Sequence, residues 1–134
     1  MTRKNRIGSC QCGHVRYRLA GTATKLAVCH CTECQKQSAS AFGMSLGIRP
    51  EDFELTSGEL MSFDVTCDSG RTKTCAFCPK CGSRIYHQVG NGMSIKAGTL
   101  KDTSDLMPDA HYWTRSKQPW VNIPPDAVQF EDDG

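Results

Sequence analysis

Seven of the nine cysteines fall into three tight clusters, Cys10 with Cys12, Cys29 with Cys31 and Cys34, and Cys78 with Cys81. Short, stiff segments of this kind present thiolates to one metal ion at little entropic cost, and they restrict the fold more than any other feature of the chain. Cysteines two apart on an extended strand point the same way and bridge each other poorly, so a disulfide reading is awkward. The counting is uneven. The outer clusters, Cys10, Cys12, Cys78 and Cys81, supply four ligands and close one tetrahedral zinc site, whereas Cys29, Cys31 and Cys34 hold a second zinc by three thiolates and leave its fourth position open.

Compartment and composition agree with metal over disulfides. The start of the chain carries Arg3, Lys4 and Arg6 but lacks the apolar run of about 7 or more residues that a secretory signal needs. The expected location is therefore cytoplasmic, where thiols stay reduced and an odd cysteine count is unremarkable. At 134 residues, with 38% hydrophobic and 22% charged side chains, the chain is expected to form one soluble domain with a modest core that metal cross-links would help to hold. The net charge is only +2 and the cations are scattered, which argues against nucleic-acid binding. No stretch approaches the length of a membrane span.

Turn signals recur at short intervals through Gly8, Gly13, Gly21, Gly43, Gly47, Pro50, Gly58, Asp68-Ser69-Gly70, Gly82 and Gly90-Asn91-Gly92, as expected for many short strands. Val15, Tyr17 and Leu19 alternate with polar residues, as do Met93 and Ile95, which predicts half-buried antiparallel strands. Two hairpins are predicted, one turning at 68–70 between Leu60–Val65 and Thr72–Phe77, the other at 90–92 between Ile85–His87 and Met93–Ile95. A short helix is expected from an N-cap at Thr32 through Gln37. The domain should span residues 7–130, with 1–6 and 131–134 loosely held.

The two kinds of cluster suggest different work. Pro79 presets a turn in Cys78-Pro79-Lys80-Cys81 and Gly82 admits the conformation that follows, so this knuckle with Cys10 and Cys12 reads as a structural staple. The middle run lies where a strand hands over to the helix, whose dipole favours thiolate charge. Three cysteinates on Zn(II) leave a net charge of −1 and a weak Lewis acid, better suited to taking a thiol as a fourth soft ligand than to making hydroxide. His30, Cys67 or Cys75 could instead close that site. On a strand, however, the His30 ring points away from its cysteine neighbours, Cys75 reads as a small buried hydrophobe, and Cys67 sits beside a turn.

The runs Gly8-Ser9-Cys10-Gln11-Cys12-Gly13-His14-Val15-Arg16-Tyr17, Cys29-His30-Cys31-Thr32-Glu33-Cys34 and Phe77-Cys78-Pro79-Lys80-Cys81-Gly82-Ser83 resemble the glutathione-dependent formaldehyde-activating enzyme (GFA) family. Its pattern is G-x-C-x-C-G-x-V-x-Y, then C-H-C-x-x-C, then F-C-x-x-C-G-[ST]. The resemblance continues through Ala97-Gly98-Thr99-Leu100 and His111-Tyr112-Trp113 to Trp120. It implies a mainly β fold, a β-tent of antiparallel sheets with one short helix, stapled by zinc. It also implies a structural zinc on Cys10, Cys12, Cys78 and Cys81 and a catalytic zinc on Cys29, Cys31 and Cys34, the second able to be labile. The activity implied is a carbon–sulfur lyase reaction, reversible condensation of formaldehyde with glutathione to S-hydroxymethylglutathione, with a small-molecule thiol as partner. The chain departs from the family after Cys34, where Gln35, Lys36, Gln37, Ser38 and Ala39 replace the usual arginine and Ser-Gly pair, so the family's pocket is not carried over there.

A thiol such as glutathione brings carboxylates, for which Lys36, Arg49, Arg84, Arg115 and Lys117 are candidate partners, each also readable as a solvated surface charge. His111 is either a proton shuttle or a packed ring beside Tyr112 and Trp113. Trp113 and Trp120 are expected at the core or rim, and residues 115–120 near a pocket mouth. The alternative function is a non-catalytic zinc scaffold for protein or nucleic acid, because a fold does not fix an activity.

Overall fold

In a computed structural model that describes residues 5–21, 25–67 and 70–134, the chain is mainly β, with two open sheets, one α-helix and three 3-10 turns. The smaller sheet joins β1 (Arg6–Ser9), β2 (Arg16–Leu19) and β5 (Phe53–Ser57), all antiparallel, in the order β1-β2-β5. The larger contains β3 (Leu26–Cys29), β4 (Gly43–Ile48), β6 (Met61–Thr66), β7 (Thr72–Phe77), β8 (Arg84–Val89), β9 (Gly92–Lys96) and β10 (Ala110–Tyr112). Its order is β10-β3-β4-β9-β8-β7-β6. Both expected hairpins form, β6 with β7 and β8 with β9. Asp68 and Ser69 of the first turn lie outside the described residues, as do residues 1–4.

The alternating residues of β2 and of the position just before it do what their period demands. Val15, Tyr17 and Leu19 are buried and share one cluster with Leu46, Ile48, Ile85, Met93, Ile95 and Leu100 of the larger sheet and its exit. Tyr17 stacks on Phe53 at 5.3 Å, and Phe53 meets Tyr86 edge-on at 5.2 Å, so aromatic contacts tie the two sheets. Burial also forces the Tyr17 hydroxyl to find a partner, Thr99 Oγ1 at 2.6 Å. The hydrophobic effect thus acts between the sheets, and the opposite face of the larger sheet is left to the short helix α1 (Thr32–Ser38).

That opposite face is specified by register. Cys29 lies opposite Gly43, and Ser45 opposite both Ala27 and Lys96. Gly47, Ser94, His87, Cys75 and Phe63 then follow one another across β4, β9, β8, β7 and β6. A single surface therefore carries Cys29 at one side and Lys96 and His87 further along. Lys96 is only 8% exposed, which its place in an alternating strand did not predict.

Three local features differ from the sequence expectation. The sheets are antiparallel except where β10 runs parallel to β3, a pairing reached by a long connection instead of a hairpin. The helix is capped by Cys31, one residue before Thr32, because its Sγ accepts the Cys34 N–H at 3.2 Å. Trp120 is 70% exposed, so of the two expected positions it occupies the rim. Residues 131–134, expected to be loosely held, bond to the chain after β10: Trp113 donates its N–H to the Asp132 carbonyl and its indole N–H to Asp133, and Arg115 donates to the Glu131 carbonyl.

At the helix C-terminus, Ala39 adopts a left-handed conformation, φ 51° and ψ 43°, and its N–H closes the last turn onto the Gln35 and Lys36 carbonyls. An L-residue pays about 1–2 kcal/mol there that glycine does not, offset by about 0.4–1 kcal/mol for glycine's freer unfolded chain. Ala39→Gly is expected to stabilise the protein by roughly 0.5–1 kcal/mol in urea denaturation.

A candidate pair of metal centres

The outer cysteines are brought together by two turns of the same design. In the first, Cys10 and Val15 pair through the backbone and Gly13 takes φ 83°; in the second, Cys78 and Ser83 pair and Gly82 takes φ 82°. Each turn aims an amide at its first sulfur, Val15 N–H to Cys10 at 3.2 Å and Lys80 N–H to Cys78 at 3.3 Å. Such bonds favour thiolate over thiol. The Ser83 hydroxyl lies 3.2 Å from the Cys81 sulfur and, as the leading cause, lowers its pKa to about 5. Cys10 and Cys78 are buried, Cys81 is half-buried and Cys12 is exposed.

Four sulfurs at about 2.3 Å from a tetrahedral zinc stand about 3.8 Å apart. Cys10 and Cys12 are 3.6 Å apart and Cys12 and Cys78 3.8 Å, and all four ligand atoms lie within 4.8 Å of one another. No cysteine is in a disulfide. The donor set and its spacing fit zinc.

The middle cysteines also converge. Cys29 ends β3, Cys31 caps the helix and Cys34 sits in its first turn, and their sulfurs again lie within 4.8 Å of one another. Cys29 and Cys34 share a hydrogen bond that lowers the Cys29 pKa to about 6, while the same bond and burial raise that of Cys34. Two thiols competing for one proton is a situation that a bound cation relieves.

No fourth histidine, cysteine or carboxylate joins this group among the described residues. His30 is fully buried just past the end of β3, 3.1 Å from His111 Nδ1 through Nε2 and packed against Phe42. His111 is itself buried, which fits packing better than proton transfer at a wet site. Cys75 is buried in β7 as a small hydrophobe, and Cys67 lies beside the β6–β7 turn. Neither approaches the middle cysteines closely enough to join them.

Helix α1 is fixed over the sheet by its own polar residues. Gln35 donates to the carbonyls of His30 and Ser116, and Gln118 donates to Gln35 Oε1. The 115–120 segment therefore packs against the helix just after Cys34. The left-handed Trp113, φ 58°, turns the chain from β10 into that segment.

The sequence profile of the glutathione-dependent formaldehyde-activating enzyme family matches residues 5–116. The chain belongs to this family. GFA-family members are often enzymes. Among curated protein sequences no relative matches. A protein of Rhodobacter sphaeroides, solved by crystallography as a structural-genomics target, is similar over 92% of this chain and 98% of its own, with a TM-score of 0.57 and 16% identity. At that identity the likeness concerns the fold. In this GFA-family chain the two cysteine groups could hold metal ions, one with four sulfurs and one with three. No helix among the described residues is long and apolar enough to cross a membrane.

The candidate cations divide sharply. Lys36 pairs with Glu33 at 3.6 Å, Arg49 with Asp52 at 3.0 Å and Arg115 with Asp132 at 3.8 Å, and these cations are well exposed. Arg84 instead donates to His87 Nε2 at 2.9 Å and lies over the Phe63 ring at 4.9 Å. Lys96 is the residue that sequence reasoning missed. Its burial lowers its pKa, with Cys34 opposing the shift.

Burial, then the neighbouring Lys96, Lys73 and Arg84, hold His87 down from 6.5 to about 3. A histidine neutral in the fold but protonated when unfolded contributes stability that is complete above the unfolded pKa and lost as pH falls toward the folded one. The stability difference between the natural protein and His87→Gln is therefore expected to shrink from about pH 7 to about pH 4, as followed by urea denaturation.

Proposed function

We propose that the chain is a zinc-dependent, carbon–sulfur lyase-like enzyme that joins a small thiol reversibly to formaldehyde, of the S-hydroxymethylglutathione synthase type. The observation that carries this reading is the convergence of three cysteine sulfurs with no fourth protein donor among the described residues, beside a second group that has all four. In this reading Cys10, Cys12, Cys78 and Cys81 hold a structural zinc, and Cys29, Cys31 and Cys34 hold a catalytic one. Zinc at the three-cysteine position would supply a soft-ligand vacancy and favour the thiolate form of a substrate thiol.

The reaction needs little else from the protein. The substrate sulfur attacks the formaldehyde carbon, the C–S bond forms as the carbonyl π bond opens, and the proton given up by sulfur is matched by one gained at oxygen. The contribution of the chain is positional: Cys29 is fixed by the β3–β4 pairing, Cys31 by the helix cap and Cys34 by the helix itself. Gln35 and Gln118 hold that helix in place, so the three sulfurs keep a constant geometry. A cytoplasmic setting, where thiols are reduced, suits both clusters.

The reading is tested by exchange spectroscopy on labelled formaldehyde with glutathione. Two zincs per chain and faster S-hydroxymethyl exchange in the presence of the protein are expected. Unchanged exchange with every small thiol tried would favour a non-catalytic zinc scaffold.

A further inference from the structure

Lys96 is an unusual place to leave a charge. It is 8% exposed, and its Nζ makes no hydrogen bond or ion pair among the described residues. A Cβ built on Gly43 would stand 3.3 Å from Lys96 Nζ and 3.4 Å from Cys34 Cβ. The ammonium and the Cys34 side chain thus flank the space that glycine leaves empty. The stem of the side chain is buried, the Cys34 and Cys29 sulfurs favour its charged form, and the residue lines an open groove where a further anion can reach it.

Lys96 also lines a groove of about 550 Å³ together with Arg84, Ser38, Phe42 and Cys81 of the four-cysteine group, and its link to the three-cysteine group is the approach to Cys34 across Gly43. Arg84 is the second cation there without a carboxylate partner among the described residues, and His87 and Phe63 hold its guanidinium in place. Neutral His87 accepts from Arg84 and positions the guanidinium without adding a carboxylate that would neutralise it. A guanidinium held in this way can take a carboxylate in its fork while an ammonium adds a point charge. The register of the sheet puts Lys96 on the same face as Cys29 and next to the helix that bears Cys34.

We propose that Lys96 and Arg84 form a carboxylate-binding subsite, which makes the three-cysteine centre select thiols that carry a negative charge within a few bonds of sulfur. This rests on the thiol reading of that centre. It differs from a requirement for glutathione as a whole, because a short mercapto acid presents the same two groups. It also narrows the wider set of candidate cations, since Lys36, Arg49 and Arg115 already have acidic partners and Lys117 does not line the groove that holds Lys96 and Arg84.

The test is calorimetric titration of the zinc-loaded protein with 3-mercaptopropionate, with its methyl ester, and with 3-(methylthio)propionate, which keeps the carboxylate but has no free thiol. The acid is expected to bind about tenfold or more tighter than the ester, a difference of about 1.4 kcal/mol. Lys96→Met should abolish that preference, Arg84→Gln should reduce it, and Lys96→Arg should keep most of it. Equal affinity for acid and ester overturns the subsite, as does a loss in Lys96→Met that is the same for both. If Lys96→Met does not fold, Arg84→Gln carries the same acid-against-ester comparison. If neither free thiol binds, the thiol reading fails. In that event Lys96-dependent binding of the thioether acid upholds the carboxylate subsite alone, and no binding of the thioether overturns it too.

Discussion

Cys78→Ser is expected to leave the protein without a cooperative unfolding transition at 25 °C. Cys78 is fully buried, its sulfur lies 3.8 Å from that of Cys12 and accepts the Lys80 N–H, so it sits where the N-terminal turn meets the 78–83 turn, beside the Gln11 N–H bond to the Ser83 hydroxyl. Structural zinc contributes about 10–16 kcal/mol of apparent folding free energy in small metal-dependent domains. A domain of this size has only about 5–15 kcal/mol in total. Losing a ligand therefore removes an amount comparable to the whole stability. Circular dichroism and a zinc count check it, with Cys75→Ala as the control. Cys75 is equally buried but belongs to neither cluster, so its substitution should cost no more than about 1–3 kcal/mol and remove no zinc. A Cys78→Ser protein that melts like the natural one would show that the four sulfurs are not a metal staple.

Cys31→Ser should have the opposite profile, with the fold kept and the chemistry lost. Serine is a good N-cap, so the substitution preserves the cap that Cys31 provides to Cys34 while it removes one of three sulfurs. Loss of a partner outside the ligand sphere already costs about 10–100-fold in metal affinity or activity, so loss of a ligand should lower hydroxymethyl exchange by at least about 100-fold. The zinc count should fall from two to one, and the midpoint of urea unfolding should change little. Full exchange activity in Cys31→Ser would remove the three-cysteine centre from the mechanism.

The cysteine spacing made both groups legible in the sequence because metal ligation is local chemistry: two or three thiolates on one short segment declare themselves. Strand period was equally informative where one face is buried, as at Val15, Tyr17 and Leu19. Lys96 was not legible. In the alternating run Met93–Ala97 a lysine reads as solvent-facing, but its side chain packs over Gly43 toward Cys34 and is buried. The cap was misplaced by one residue because side-chain oxygen is the usual acceptor, and here a thiol took that place. The three-residue strand β10 and its parallel pairing have no periodic signal, since they depend on the chain returning from Leu100 to the edge of β3. His111 likewise declared its partner only in three dimensions, 81 residues away at His30.

The departure after Cys34 also has a physical counterpart. Ala39 holds the left-handed position in which the family's glycine would be relaxed, and Gln35 bonds to backbone carbonyls and Gln118 where the family carries a charge. A cation lost from the helix is compatible with a pair supplied by the sheet, Arg84 and Lys96.

The central claim is that the Cys29, Cys31 and Cys34 centre offers an open position to a thiol. Zinc-edge X-ray absorption of the two-zinc protein before and after addition of 3-mercaptopropionate tests it most directly. The average sulfur coordination is expected to rise from about 3.5 to about 4 per zinc, with the added sulfur at about 2.3 Å. The Cys31→Ser protein should show no such rise. A spectrum unchanged by the thiol, with four protein ligands at both metals from the start, would contradict it.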